Sequence, residues 1–284
     1  MSIVKEYEIL SRSKDVPLHK TAGRFYFEKL LQHFNEGTLQ EEILSLFREI
    51  TDKQYQKQLF QRFVGIVNLE TSGFCNRQCV YCPVSLYHRH DKSLVMDKEV
   101  FAKIRQNLEY LEFESSISLN GYNEPLLDSC IVSHIRSLRS SCPKSFIGFN
   151  SNGDSLRPKL LDELIRSSLN RLNITLHTTP TESYDDTKSL EKIKRFYRKL
   201  DLEVPEIQVV PNQSCVSSLQ LDSLNLCVNT MNWAKIGNDR GGEIESLSIQ
   251  SRIEPCVRVF REVFWIIEGL HICAVMSIMI KQSP

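Results

Sequence analysis

The spacing of apolar residues changes character near residue 64. Before it, the period is helical. Phe25, Phe27, Leu30, Leu31 and Phe34 recur at helical spacing. Thr38 with Glu41 and Glu42 resembles a capping box, and Ile43, Leu44, Leu46, Phe47 and Ile50 follow as a second apolar face. Residues 54–63 read as a third short helix. Residues 1–63 therefore form an expected helical extension, a packing layer without a catalytic constellation.

Beyond residue 64 the chain alternates between two periods. Residues 64–70, 116–120, 145–150, 172–177 and 205–210 are short apolar runs expected as strands. Between them lie expected helices at 97–111, 128–140, 158–167 and 187–200. In the first of these, Val100, Ile104, Leu108 and Leu111 share one face. Residues 231–236 are the candidate for a further strand, after a long segment at 211–230 with no assigned element. Strands alternating with helices of this length imply βαβ units, a parallel sheet and right-handed crossovers, which curl the sheet toward a barrel. Folds of this kind bind ligands at the carboxyl ends of their strands. Residues 263–267 and 270–275 then alternate around Glu268-Gly269, as a hairpin does.

Composition narrows the class. The chain has 284 residues, 41% apolar and 25% charged, as expected of a soluble globular protein. Lys plus Arg and Asp plus Glu are equal at 35 each, which gives no support to a nucleic-acid or membrane partner. The first residues lack the apolar core of a signal peptide, and no window of about 18 apolar residues occurs. The expected location is the cytoplasm. Nine cysteines in such a chain point to metal or redox chemistry rather than a disulfide framework.

Three of those cysteines stand together in Cys75-Asn76-Arg77-Gln78-Cys79-Val80-Tyr81-Cys82-Pro83, directly after the first expected strand. A curled loop could bring the three thiolates to one point. Thiolates of this kind hold iron–sulfur clusters. Three ligands leave one iron of a four-iron cube open to a small molecule. A zinc knuckle, or three unrelated buried cysteines, are the other readings of the same residues, although no nearby Cys or His pair completes a zinc site.

The C-x3-C-x2-C spacing, with the aromatic Tyr81 before the third cysteine, resembles the signature of the radical S-adenosylmethionine superfamily. The resemblance implies a [4Fe-4S] cluster on Cys75, Cys79 and Cys82, with S-adenosylmethionine chelating the open iron. It implies a 5′-deoxyadenosyl radical as the reactive species and an electron donor such as flavodoxin or ferredoxin. It also implies an α/β fold: a partial (β/α)6 barrel over residues 64–242. Tyr81 falls among the expected cofactor contacts. After the second strand, Asn123-Glu124-Pro125 resembles the family's Gly-Gly-Glu-Pro segment, which receives the cofactor's amino group. After the third, Ser151-Asn152-Gly153 resembles a segment that lines the cofactor pocket, with donors and acceptors for ribose hydroxyls. His177 ends the fourth strand at the same mouth, as a contact to substrate or cofactor or as a hydrogen-bonded structural residue.

Arg240, in Asp239-Arg240-Gly241-Gly242, is the catalytic candidate: its planar fork could clamp substrate. A flexible charged surface loop is the alternative. The order of these segments resembles members that oxidise aminocyclitols. Pro255-Cys256, a hairpin and Cys273 resemble the start of the auxiliary-cluster domain of the twitch and SPASM branch, and imply ligands for a possible second iron–sulfur cluster. No cysteine follows Cys273, so residues 243–284 read as a short, incomplete form of that segment. Three functions follow. One is a radical enzyme that oxidises a secondary alcohol of a sugar or aminocyclitol, one is a maturase of a peptide or protein, and one is a truncated, inactive relative.

Overall fold

In the computed structural model, residues 51–82, 84, 94–178, 182–237, 244, 247, 262–266 and 269–271 are described. The calls on residues 25–50, on Arg240 and on Cys256 and Cys273 lie outside them. The chain divides into two compact units, Met1–Gly65 with Ser251–Glu262, and Ile66–Gln250 with Val263–Pro284.

In the first unit the described helix is α1, Lys53–Phe63. Asp52 caps it, its carboxylate accepting from the backbone N–H groups of Gln54 and Tyr55 at 2.8 and 3.1 Å. This is the expected third short helix.

The second unit is built on an open sheet of nine strands in the order β5-β6-β7-β4-β3-β2-β1-β8-β9. Its centre is β1 (Ile66–Leu69), β2 (Ser116–Ser118), β3 (Phe146–Ser151), β4 (Arg171–Thr175) and β7 (Leu224–Met231), all parallel. The crossovers run through α2 (Lys98–Tyr110), α3 (Ile131–Ser141), α4 (Pro158–Arg166) and α5 (Asp186–Lys199). Asp97 caps α2, accepting from Glu99 N–H at 2.7 Å, and Asp185 caps α5, accepting from Lys188 N–H at 2.8 Å. Pro158 opens α4, where its missing N–H costs nothing. This is a mixed α/β fold with an open, mostly parallel sheet, consistent with a partial barrel.

Two details differ from expectation. Residues 231–236 are not a strand: Met231 ends β7, and Trp233–Ile236 is the short helix α6. The fifth parallel strand is β7, and it comes from the segment that had no assigned element. There β6 (Ser214–Leu221) and β7 form an antiparallel hairpin, closed by Asp222 at φ 49°, and β5 (Ile207–Val210) pairs antiparallel with the far edge of β6. On α2, Phe101, Ile104 and Leu108 are buried, whereas Val100 is 49% exposed. The apolar stripe is turned by one residue because the ring at Phe101 has more surface to bury.

The alternation of the parallel strands splits the sheet into two chemistries. Val67, Leu69, Ile117, Leu119, Ile147, Phe149, Leu172, Ile174, Leu226 and Val228 face one way and are buried. Phe196 of α5 reaches the Ile174 side of the sheet, where a Cβ on Gly153 would meet both at 2.8 Å. The alternate positions, Asn68, Ser118, Asn150, Asn173 and Asn229, face the other way and are polar. The expected C-terminal hairpin appears as β8 (Glu262–Ile266) and β9 (Gly269–His271), with Trp265 opposite Leu270.

One buried polar cluster ties β1 to α3. Asp128 accepts from Thr71 Oγ1 at 2.6 Å and from Cys130 N–H at 2.8 Å, and its Oδ2 lies 3.3 Å from His134 Nδ1. Burial alone would raise the Asp128 carboxyl, but His134, Thr71 and the Cys130 N–H outweigh it and hold it below the usual carboxylate range. A carboxyl lowered on folding stabilises the fold above its unfolded pKa and loses that contribution as the pH falls through the folded value. The Asp128 contribution is therefore complete above about pH 5 and declines below about pH 4. Asp128→Asn should cost about 1–3 kcal/mol at neutral pH and flatten the acid side of a thermal-unfolding profile. An acid side identical to that of the unmodified protein would contradict this assignment.

Candidate active site

The cysteine loop leaves the carboxyl end of β1 through Glu70-Thr71-Ser72-Gly73 and is closed at its base. Met96 N–H donates to the Thr71 carbonyl at 2.9 Å, and Gly73 N–H donates to the Leu94 carbonyl at 2.7 Å. Ser72 and Val95 form an antiparallel bridge. This clasp fixes where the loop starts. Within it, Cys82 N–H donates to the Cys79 carbonyl at 2.9 Å, a tight turn that draws the second and third cysteines together.

The loop is then fastened to the end of β3. Arg77 makes a two-pronged ion pair with Asp154, Nε to Oδ2 at 2.7 Å and Nη2 to Oδ1 at 2.6 Å. Asn76 Nδ2 donates to the same Oδ2 at 2.9 Å, and Asn76 Oδ1 accepts from Asn152 Nδ2 at 2.8 Å. Burial would raise the Asp154 carboxyl; the Arg77 guanidinium and Asn76 amide bring it below the usual range instead. Two of the three residues between the first and second cysteines, Asn76 and Arg77, are thus spent on one turn of a different strand.

Glu124 holds the rim together from below. It is 3% exposed. One carboxylate oxygen accepts from Ser151 Oγ at 2.6 Å and Leu126 N–H at 3.0 Å, and the other accepts from Asn152 N–H at 2.7 Å. Burial still raises its pKa despite these three donors. A carboxylate has about four acceptor positions, so one is left for a further donor. Glu124 N–H donates to the Phe74 carbonyl at 2.9 Å, next to Cys75. Asn123 turns the preceding residues: its Oδ1 accepts from Gly121 N–H at 2.9 Å.

Glu70 and Gly121 are a pair that the sequence did not reveal. Glu70 is fully buried, and its carboxylate accepts from Tyr122 N–H at 2.6 Å. A Cβ at Gly121 would stand 2.6 Å from the Glu70 carboxyl carbon, so only glycine lets the turn approach this closely. The local signal is Gly121 itself, but the Glu70 carboxylate that receives its turn lies fifty-two residues before Tyr122.

An aromatic group closes the other side of the loop. Tyr81 stacks on Trp233 at 4.9 Å between centroids, and the Tyr81 hydroxyl shares a 2.7 Å hydrogen bond with His177 Nδ1. Burial, helped by the Arg77 charge, pushes His177 down to about 4, so its ring is neutral at pH 7. Trp233 lies on α6, in the stretch expected as a strand, and no sequence motif marks it.

The three thiols fit a cluster by their chemistry and surroundings. Cys75, Cys79 and Cys82 carry thiols rather than disulfides and are half-buried. Burial pushes the Cys75 thiol up to about 11, and Glu124 and the other two cysteines add to it, while the Arg77 N–H opposes. Cys79 is raised by burial in the same way. A group of thiols that disfavour one another's charge is what cationic iron would relieve. Among the described residues, no set of three or more His, Cys, Asp or Glu is placed to hold a single metal ion. A cube instead spreads its thiolates over separate irons.

The sequence-expected residues Tyr81, Glu124, Ser151, Asn152 and His177 are gathered around this loop by the contacts above, and Asn123 shapes the neighbouring turn. Residues 69–204 match the Radical SAM superfamily. Over 140 residues the chain is 26% identical to the S-adenosyl-L-methionine-dependent 2-deoxy-scyllo-inosamine dehydrogenase of Niallia circulans, covering 48% of this chain and 56% of that protein. Over 138 residues it is 25% identical to an uncharacterized protein of Methanocaldococcus jannaschii, covering 42% of this chain and 29% of that protein. The matches thus span little more than half of the first relative and less of the second. Among solved structures, BtrN in complex with AdoMet and 2-DOIA has a TM-score of 0.54 at 19% identity, over 76% of this chain and 75% of that one. That likeness is one of fold. The family implies a [4Fe-4S] cluster and S-adenosylmethionine.

Asp154→Ala should release Arg77 while leaving the sheet folded. Losing a charge-assisted, bidentate contact of roughly 1–2 kcal/mol would raise local opening about tenfold. Limited trypsin digestion, read by mass spectrometry, should show cleavage after Arg77 about tenfold faster than in the unmodified chain. Unchanged cleavage would mean that the loop is held by something else.

Proposed function

We propose that this chain is a radical S-adenosylmethionine enzyme that oxidises a secondary alcohol of a small sugar or aminocyclitol. One observation carries the reading: three cysteines on one curled loop lie at the carboxyl ends of parallel strands, fastened to a polar rim made by the ends of β2 and β3. Cys75, Cys79 and Cys82 would hold three irons of a [4Fe-4S] cluster. The bound cluster and S-adenosylmethionine would supply a 5′-deoxyadenosyl radical able to abstract a hydrogen atom.

The chain's own residues supply position. Glu124, with one acceptor site left, would receive an ammonium hydrogen of the cofactor. Ser151 and Asn152 would meet ribose hydroxyls, and Tyr81 with His177 and Trp233 would wall the cofactor side of the mouth and exclude water. Arg240 would clamp substrate. Oxidation of an alcohol to a ketone removes one hydrogen atom, one proton and one electron. A second iron–sulfur cluster beginning at Cys256 and Cys273 would accept that electron, and flavodoxin or ferredoxin would reduce the first cluster. In this reading residues 1–63 are a helical extension, 64–242 the barrel and 243–284 the auxiliary segment.

The dehydrogenase name of the Niallia circulans relative supports the reaction. The test is iron content after anaerobic reconstitution, beside 5′-deoxyadenosine formed under a strong reductant. We expect about four irons per chain for one cube, or about eight if a second forms, with cofactor cleavage in either case. Cys79→Ala should abolish cleavage. No iron and no cleavage in the unmodified chain would sink the reading.

A further inference from the structure

The polar face of the parallel sheet is a built surface of neutral amides. Asn120, Asn150, Asn173 and Asn229 come from four neighbouring strands or their ends and run across it as a chain. Asn150 N–H donates to Asn120 Oδ1 at 2.7 Å, and Asn120 Nδ2 donates back to the Asn150 carbonyl at 3.0 Å. Asn173 Nδ2 donates to Asn150 Oδ1 at 2.9 Å, and Asn229 Nδ2 donates to Asn173 Oδ1 at 3.1 Å. Each link orients the next, so the amides stand in a fixed array.

The array ends on groups without a partner. Asn229 is 2% exposed and its Oδ1 accepts nothing; Asn68, on the same face of β1, is 7% exposed and its Nδ2 donates to nothing. A buried polar atom left unpaired carries a cost of about 1–3 kcal/mol, so two on one face need an explanation. Asn150 is exposed although β3 is a central strand, so this face is reachable. The other groups on it are largely committed. Glu70 accepts from Tyr122 N–H, and Arg171 hydrogen-bonds Cys227.

We infer that the row Asn120–Asn150–Asn173–Asn229, with Asn68 opposite its end, is the substrate-reading floor and takes the face of a small ring bearing several hydroxyl or amino groups. The hydroxyls of such a ring both donate and accept, as amides do, and a protonated amino group donates to amide oxygens. A phosphate would need cations in place of these amides, and an apolar chain would leave every amide unpaired. The inference deepens the proposed function, from which it takes only the expectation of a hydroxylated substrate.

The test measures binding rather than turnover. Anaerobically reconstituted full-length protein is titrated with 2-deoxy-scyllo-inosamine and with myo-inositol by saturation-transfer NMR. We expect at least one of the two rings to bind the unmodified chain, and Asn173→Leu and Asn229→Leu each to weaken it about tenfold or more. The thermal midpoint monitors folding, and Asn150→Leu, at an exposed position, gives a third variant that cannot disturb the core; we expect it to weaken binding as well. Affinities within twofold of the unmodified chain across the folded variants would overturn the floor, and so would a chain that binds neither ring. A chain that binds a ring yet forms no 5′-deoxyadenosine overturns the radical-enzyme reading and leaves the floor standing. Cleavage of S-adenosylmethionine without ring binding does the reverse.

Discussion

A loop that must present three cysteines has little structure of its own, and here its shape rests on the carboxylate of Asp154. That one group accepts from Asn76 and from both prongs of Arg77. Fixing a loop costs conformational entropy, about 1–2 kcal/mol for each residue ordered. The backbone clasp at residues 71–73 and 94–96 sets the loop's base, and the Asp154 contacts fasten its interior at Asn76 and Arg77. Asp154 is itself held: its N–H donates to Asn152 Oδ1, and the Asn152 N–H is bound by Glu124. The ends of β1, β2 and β3 are thereby one hydrogen-bonded assembly. A disturbance at Glu124 would be felt at Arg77 through three links.

The same period-two pattern that makes the core makes the site. On each parallel strand, one set of side chains is buried in the core and the alternate set forms the polar face. An apolar residue at Asn150 or Asn173 would break the row, because their amides pair with one another. The buried core is therefore carried by Val67, Ile117, Ile147, Leu172 and Leu226, and the polar pairing by their neighbours. Substitution can change the second set with small effect on the first.

Much of this was legible in the sequence, because the legible parts are local. The cysteine spacing, the alternation of strands and helices, Glu124-Pro125 and Ser151-Asn152-Gly153 are each contained within a few residues. The contacts that shape the site are not. Arg77 and Asp154 are far apart in the chain, as are Glu70 and Gly121, and nothing in either segment names its partner. The β6–β7 hairpin was missed for another reason. Its turn, Asp222-Ser223, lacks the Asn-Gly signal, and Asp222 adopts a positive φ without it. Without that turn signal the strand is expected one element late, at 231–236, where Trp233 begins a helix. The asparagine row is invisible in sequence since each strand contributes one residue, and only the register aligns them.

The central claim is that the loop and its rim form one site in which S-adenosylmethionine meets a cluster on Cys75, Cys79 and Cys82. Electron–nuclear double resonance on the reduced protein tests it most directly, with the cofactor labelled with 15N at its amino group and 17O at its carboxylate. The account predicts hyperfine coupling from both labels, since both groups would bind the open iron. A reduced cluster whose spectrum carries neither coupling, with the cofactor present at saturating concentration, would contradict it.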